Sequence, residues 1–282
     1  MGKVLYNQQF VERSKLIDIE DRGYQFGDGI YEVIGVYDEA FFLLDEHLQR
    51  LKRSAKEIQL SLPYELTELK EKLVELVSLN ELTDGVVYLQ ITRGEAERWH
   101  HFPHESVTPI LIAYTKIEET LDEASKNGAS AVLTEDIRWL RCDIKTLNLL
   151  PNVIAKQKAV ENNAVEAILH RGDVITEASA SNVFMVKDGK VFTHPANNYI
   201  LNGITRQKVL ELCDKLQITV QEEAFTIHDL LAADELFITA TKLDIVPIIQ
   251  VDNQPIGSEI PGETTKKIIQ AFHSSLQALR IS

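Results

Sequence analysis

The order in which hydrophobic periodicities follow one another is the feature that most limits the fold of this chain. Residues 31–37 (YEVIGVY) and 40–44 (AFFLL) are short apolar runs parted by Asp38-Glu39, the pattern of two strands joined by a turn. The period then changes. Leu48, Leu51, Ala55 and Ile58 recur at helical spacing behind Asp45, which reads as an N-cap. A second helix is expected from about Glu65 to Leu79, with Leu66, Leu69, Leu73 and Leu76 on one face. Strands return at 86–93 (VVYLQITR) and 109–115 (PILIAYT). Strands, then helices, then strands again is the order of an α+β layer rather than the regular alternation of a doubly wound parallel sheet.

The polar stretch 116–128 (KIEETLDEASKNG) closes this first unit. The chain is therefore divided into a small N-terminal α/β domain at 1–118, a linker at 119–128 and a larger C-terminal α/β domain at 129–282. In the larger part, strands are expected at 129–134, 166–170, 235–239 and 245–250. Asp188-Gly189 centres a hairpin over 183–193, the strongest local turn signal in the chain. Helices are expected near 151–162, with Pro151 in the first turn, and at 204–216, 226–233 and 264–279. Such a mixture can close into a barrel-like sheet.

Composition narrows the function classes. A chain of 282 residues, 44% hydrophobic, can bury a sizeable core without disulfides or metal. Two cysteines, Cys142 and Cys213, make no disulfide framework and point to a reducing compartment. No apolar run is long enough to span a membrane, and Met1-Gly2-Lys3-Val4 lacks a signal-peptide pattern, so a cytoplasmic location is expected. Lys plus Arg total 29 against 43 Asp plus Glu, a net charge of −14. A field of that sign repels nucleic acid and anionic membrane, and neither is expected as a partner. It also makes each local arginine informative, because an anionic substrate or cofactor needs cations placed for it.

Several chemistries lack their motifs. There is no phosphate-binding loop of the G-x-x-x-x-G-K-[ST] type, no Rossmann glycine fingerprint and no G-x-S-x-G elbow. His100, His101 and His104 lie close together without the companion spacing of a metal site, so no metal is expected. Other segments are more pointed. In 21–32 (DRGYQFGDGIYE) three glycines in seven residues precede a strand and allow close backbone approach. Lys145 sits in a mostly apolar stretch with Arg138 and Arg141 upstream. Partial burial and nearby cations favour a nucleophilic amine that can form a Schiff base with a carbonyl. Glu177 lies among small residues in VITEASASNVF, which leaves room for a flat group beside it. Gly203-Ile204-Thr205 opens a helix, where free N–H groups and a hydroxyl can hold a phosphate. Thr239-Ala240-Thr241 offers further donors after a strand. Each segment alone also has a plain structural reading as a turn, a cap or a surface lysine.

Taken together, DRGYQFGDGIYE, EDIRWLRCDIKTLNLL, VITEASASNVF, Gly203-Ile204-Thr205 and DELFIT before Thr241 resemble the class IV aminotransferases, the pyridoxal phosphate enzymes of fold type IV. The resemblance covers essentially the whole chain and is strongest to the members that act on D-amino acids. It implies two α/β domains, the larger a pseudo-barrel, with pyridoxal 5'-phosphate between them, in a homodimer. It implies that Lys145 carries the cofactor and then acts as acid and base. Glu177 would pair with the ring nitrogen, and Leu201 would pack on the ring. Arg50, Ile204, Thr205 and Thr241 would hold the phosphate. Tyr31, Arg98 and His100 would receive the substrate carboxylate, with the 98–100 loop reaching the partner's site. Arg138 would stand near the phenolic oxygen. The expected reaction transfers an amino group between D-amino acids (D-alanine, D-glutamate) and 2-oxo acids (pyruvate, 2-oxoglutarate). A branched-chain L-amino-acid aminotransferase, an aminodeoxychorismate lyase and a non-enzymatic relative of the fold are the alternatives. Ala240, Ala180 and Trp99 depart from the pattern of close relatives and bear on cofactor affinity and substrate range.

Overall fold

The computed structural model describes residues 2–14, 17–117, 127–241 and 243–279. The chain forms two compact units. The first takes its described residues from Met1–Glu118 and Ile144–Asn148, together with Leu279; the second takes them from Glu119–Asp143 and Leu149–Ala278. The expected linker at 119–128 lies outside the described residues except for 127 and 128.

The first unit opens with strands β1 (Lys3–Tyr6) and β2 (Gln9–Glu12), followed by a short helix, α1 (Arg22–Phe26). Strands β3 (Gly29–Tyr37) and β4 (Ala40–Phe41) precede helices α2 (Leu44–Glu57) and α3 (Leu66–Leu79). Strands β5 (Gly85–Thr92) and β6 (Ile110–Lys116) complete an antiparallel sheet of order β2-β1-β6-β5-β3-β4. Ile30 and Ile34 of β3 and Leu89 and Ile91 of β5 are buried together with Leu48 and Leu51 of α2 and Leu69, Leu73 and Leu76 of α3. The helical leucine stripes thus cover the strand positions that alternation points toward them. One expectation fails at the start of α2. Its N-cap is Leu43, in the left-handed region at φ 56°, and Asp45 lies inside the first turn. There Asp45 and Glu46 act on the helix dipole rather than as a cap. The strand at 40–44 also ends early, at Phe41.

Segment 144–148 belongs with this unit for a local reason. β4 pairs only with Val36 and Tyr37, which leaves the opposite end of β3 without a neighbour on that edge. Thr146 bridges Ile30 there, Tyr31 N donates to the Lys145 carbonyl at 3.0 Å, and Leu147 N donates to the Gly29 carbonyl at 3.1 Å.

The second unit contains β7 (Ala129–Glu135), α4 (Leu150–Glu161), β8 (Glu166–Arg171), β9 (Val174–Ala178), β10 (Asn182–Lys187) and β11 (Lys190–Thr193). Next come α5 (Ile204–Lys215), β12 (Val220–Glu222), α6 (Ile227–Leu231), β13 (Glu235–Ala240), β14 (Asp244–Val251), β15 (Gln254–Pro255) and α7 (Glu263–Leu279). The β10–β11 hairpin turns on Asp188 (φ 48°) and Gly189 (φ 72°), the paired positive angles its sequence signals. The sheet runs β12-β11-β10-β13-β14-β7-β8-β9, with β15 on β14. That order forces curvature. In a flat sheet β9 and β10 would stand about 24 Å apart. Yet only residues 179–181 join them, a reach of about 14 Å at most. Ala178 N donates to the Ser181 carbonyl at 2.7 Å, closing the turn. The sheet therefore curls into a half-barrel. No helix among the described residues is long and apolar enough to cross a membrane.

Candidate active site

In the first unit, alternation along β3 sets Glu32 on the face covered by α2, between Ile30 and Ile34, while Tyr31 points to the other face. Helical spacing puts His47 and Arg50 on the side of α2 that meets Glu32. Arg50 donates from Nε to Glu32 Oε1 at 2.8 Å and from Nη2 to Oε2 at 2.7 Å, and His47 Nδ1 lies 2.7 Å from Oε2. Burial opposes the charge of Glu32, but Arg50 and then His47 outweigh it and hold the carboxyl at about 2. Burial pushes the His47 imidazole down. One turn beyond Arg50, Ser54 Oγ accepts from Lys145 N at 3.3 Å. Lys145 Nζ lies 4.3 Å from the centroid of the Tyr31 ring, which in turn stacks on Tyr88 at 5.8 Å. Lys145 and Tyr31 thus meet within the first unit.

Arg98 and His100 do not join them within the chain. Both are exposed and flank the ring of Phe26: Arg98 Cζ is 4.7 Å from its centroid, and the His100 ring is 5.6 Å away.

In the second unit, Glu177 stands one residue before the end of β9 and is buried. Arg138 Nη1 donates to Oε1 at 2.5 Å; Asn182 Nδ2 and Leu201 N donate to Oε2 at 3.0 and 3.1 Å. Arg138 is shared. Its Nε and Nη2 donate to Asp136 at 2.9 Å each, and Arg171 Nε also reaches Asp136, at 3.1 Å. Burial raises the Glu177 carboxyl and exceeds the opposing pull of Arg138 and the Leu201 N–H; the neighbouring Asp136 adds to the rise. The cations read upstream of Lys145 are therefore engaged by carboxylates, Arg138 as described and Arg141 by Asp143, with Nε 3.0 Å from Oδ1.

Asn182 also donates to the Leu201 carbonyl at 2.8 Å, so one amide ties Glu177 to the chain entering α5. Gly203 is required there: a Cβ on it would lie 2.2 Å from Asn182 Oδ1. Gly203 caps α5 with no side-chain hydrogen bond, so the first N–H groups, including those of Ile204 and Thr205, keep their donor capacity. Thr239 is paired with Asn182 across β10 and β13, which sets both side chains on one face. Its hydroxyl is buried and has no partner among the described residues. Ala240 and Thr241 follow it at the strand end, both half-buried.

Glu32, His47, Asp136 and Asn182 are not singled out by sequence, although Glu32, Asp136 and Asn182 lie inside segments that are. Their sequence signal is proximity alone: Glu32 follows Tyr31, His47 stands three residues before Arg50, Asp136 two before Arg138 and Asn182 five after Glu177. Their role comes from partners on other elements.

The profile of the family Amino-transferase class IV matches residues 29–251. The chain belongs to the class IV aminotransferases. It is 49% identical over 275 residues, 97% of each chain, to a D-alanine aminotransferase of Bacillus licheniformis. Among solved structures it is similar to the branched-chain amino acid aminotransferase of Escherichia coli, with TM-score 0.91 and 26% identity over 97% of this chain and 94% of that one. It is also similar to a T.th. branched-chain amino acid aminotransferase solved with pyridoxamine 5'-phosphate, with TM-score 0.90 and 25% identity over 99% and 95%. The mixed α+β architecture of this aminotransferase, with its curled second sheet, is that of fold type IV.

Aminotransferases of this class use pyridoxal 5'-phosphate, and the residues present fit it. Glu177 is a buried carboxylate that shares its arginine with a second acid, so a protonated ring nitrogen would add the missing positive charge. The open start of α5 and the unpartnered Thr239 hydroxyl supply unspent donors in the same unit. The substrates of such an enzyme are small amino acids and 2-oxo acids.

Proposed function

We propose that this aminotransferase moves the amino group between D-amino acids, D-alanine and D-glutamate among them, and the 2-oxo acids pyruvate and 2-oxoglutarate. The observation that carries this reading is the full-length likeness to a D-alanine aminotransferase, well above the identity to the branched-chain enzymes that share the fold.

Bound pyridoxal phosphate supplies a conjugated ring that takes up the charge left when the substrate α-proton departs. Lys145 would hold the cofactor through Nζ, and its amine would then serve as the base and acid that moves the substrate α-proton. The side chain is set for this by its backbone: Lys145 N and O are both bonded, to Ser54 Oγ and Tyr31 N. Glu177 accepts the ring N–H and keeps that nitrogen protonated. Arg138 sets the charge of Glu177 from its bonds to both acids, a different assignment from the phenolic-oxygen role that the family resemblance suggests. Ile204 and Thr205 at the head of α5 hold the phosphate with Arg50 and Thr241, while Ala240 leaves only its backbone N–H for that purpose. Leu201 packs on the ring. Tyr31, Arg98 and His100 take the substrate carboxylate, and the side from which they do so decides that the D-enantiomer turns its α-hydrogen to Lys145.

The same reading includes a homodimer in the cytoplasm. Arg98 and His100 are exposed and touch Phe26 rather than Tyr31, which suits a trap completed by a second copy. Ile137, Trp139, Leu140, Leu150, Val153 and Ile154 are exposed in the second unit, more apolar surface than a monomer needs. Both cysteines are free thiols, which suits a reducing compartment.

Turnover of matched D- and L-alanine with 2-oxoglutarate tests the proposal. Activity on the D-enantiomer alone is expected, and Lys145→Ala should remove it by about 10⁴-fold or more. Activity on L-alanine alone, untouched by Arg98→Ala, would return the chain to the branched-chain reading.

A further inference from the structure

The segment DRGYQFGDG is prominent in the sequence, yet the reaction assigns it no role. In the structure it forms α1 and its exit, and it is fastened to the loop that follows β5. Asp21 caps α1 by accepting from Gly23 N at 2.7 Å, and it also accepts from Thr92 Oγ1 at 3.1 Å. Arg22 N donates to the Gly94 carbonyl at 3.0 Å, and Ala96 N donates to the Glu20 carbonyl at 3.1 Å. The buried Arg22 side chain goes further along the same loop. Its Nε donates to Asp28 Oδ2 at 2.9 Å and its Nη1 to the Trp99 carbonyl at 2.7 Å. That last bond holds the residue standing between Arg98 and His100.

Phe26, at the end of α1, collects the rest. Arg22 Cζ lies 4.8 Å from its ring centroid and Arg98 Cζ 4.7 Å, with the His100 ring at 5.6 Å. Arg98 has no hydrogen bond or ion pair among the described residues, in a chain that carries 43 carboxylates. An aromatic face restrains a guanidinium by its charge and plane while leaving the N–H edge unspent. That edge is what a carboxylate takes in a two-pronged bond.

We propose that Phe26, anchored through Arg22, is a positioning residue that holds Arg98 and His100 ready for the carboxylate of a D-amino acid. The inference rests on the reading that Arg98 and His100 receive that carboxylate. Phe26 touches neither cofactor nor reacting atoms in this scheme; it acts through the two side chains beside it. Its loss should weaken ground-state and transition-state binding alike, so KM rises while kcat stays.

The experiment compares the reconstituted wild-type enzyme with Phe26→Leu, Phe26→Tyr and Arg98→Ala. KM and kcat are measured for D-alanine, together with the inhibition constant of propionate, which carries the carboxylate but no amine. Phe26→Leu is expected to raise both KM and the propionate constant about five- to tenfold, with kcat changed by less than about twofold. Phe26→Tyr, which keeps the ring face, should stay near the wild type. If Arg98→Ala raises both constants and Phe26→Leu raises neither, the platform is wrong and the carboxylate trap stands. A fall in kcat at unchanged KM in Phe26→Leu would overturn the platform as well. If Arg98→Ala leaves both constants unchanged, the trap itself fails and the platform falls with it. Should Phe26→Leu not fold, Phe26→Met keeps the volume without the ring and is held to the same outcomes.

Discussion

Glu32 in the first unit and Glu177 in the second are both buried carboxylates that accept from an arginine, yet their acidities move in opposite directions. Glu32 is held at about 2, whereas Glu177 is raised. Burial costs both charges in the same sense. The difference lies in how positive charge is shared. Arg50 turns two of its N–H groups on Glu32, and His47 adds a third contact. Arg138 gives one bond to Glu177 and two to Asp136. Glu32 is compensated within its own unit, so it ties α2 to β3 and fixes the strand beside Lys145. Glu177 is left short of positive charge, which suits a carboxylate whose partner arrives with the cofactor.

The largest test of this contrast is on rate. Glu177→Gln keeps the shape but not the charge and should lower kcat by about 10²–10³-fold, measured with D-alanine and 2-oxoglutarate. Its melting temperature without cofactor should not fall, because burial already opposes the Glu177 charge. An unchanged rate would mean that another group keeps the ring nitrogen protonated.

The mirror experiment is on stability. Glu32→Gln leaves Arg50 and His47 facing a neutral amide in the core and should destabilise the cofactor-free protein by about 3 kcal/mol, read by denaturant unfolding near pH 7. A smaller loss than that of Glu177→Gln would reverse the roles assigned to the two acids.

Their pH dependences should differ in sign. The folded-state value for Glu32 is depressed from 4.5 to about 2, so its contribution is full above 4.5 and is lost as pH falls through that window. The gap in stability between wild type and Glu32→Gln should therefore close on acidification. The folded-state value for Glu177 is raised above 4.5, so its contribution is present below 4.5 and is lost as pH rises through the folded value. Glu177→Gln should gain stability relative to the cofactor-free wild type at neutral pH. Matching slopes for the two variants would break the comparison.

The smallest effect sharpens it. Asp136→Asn removes the acid that competes for Arg138 and whose charge raises Glu177, and should bring the Glu177 carboxyl down. The checking measurement is the pH profile of unfolding without cofactor, where the Glu177 component should move toward acid. Loss of the Arg171 and Thr176 bonds to Asp136 lowers overall stability as well, but not in a way that shifts that component.

Much of this is readable from local pattern. The leucine stripe of α3, the Asp188-Gly189 hairpin and Pro151 at the head of α4 all appear in the structure where their sequence signals lie. Pattern alone misplaces the N-cap of α2, because the left-handed angle at Leu43 is set by the turn from β4 and not by a capping side chain. The candidate site divides along the same line. Lys145 and Glu177 stand in segments whose composition singles them out. His47 does not, and Asp136 shares the segment of Lys145 without being marked in it, since an acid or a histidine in isolation carries no mark of the cation or carboxylate it will meet.

The chain's periodicities and motifs alone pointed to its class: strands, then helices, then strands again, a lysine in an apolar stretch, a glutamate among small residues and Gly203-Ile204-Thr205 opening a helix. Those are properties of short stretches, where residue type and spacing act directly on the backbone. Only the tertiary structure decided that residues 144–148 cross to the first unit to complete the edge of β3, that the second sheet must curl because three residues join its distant strands, and which of two buried glutamates keeps its charge at home. Each of these depends on partners far apart in sequence, and the energy of a buried charge is set by what surrounds it in space.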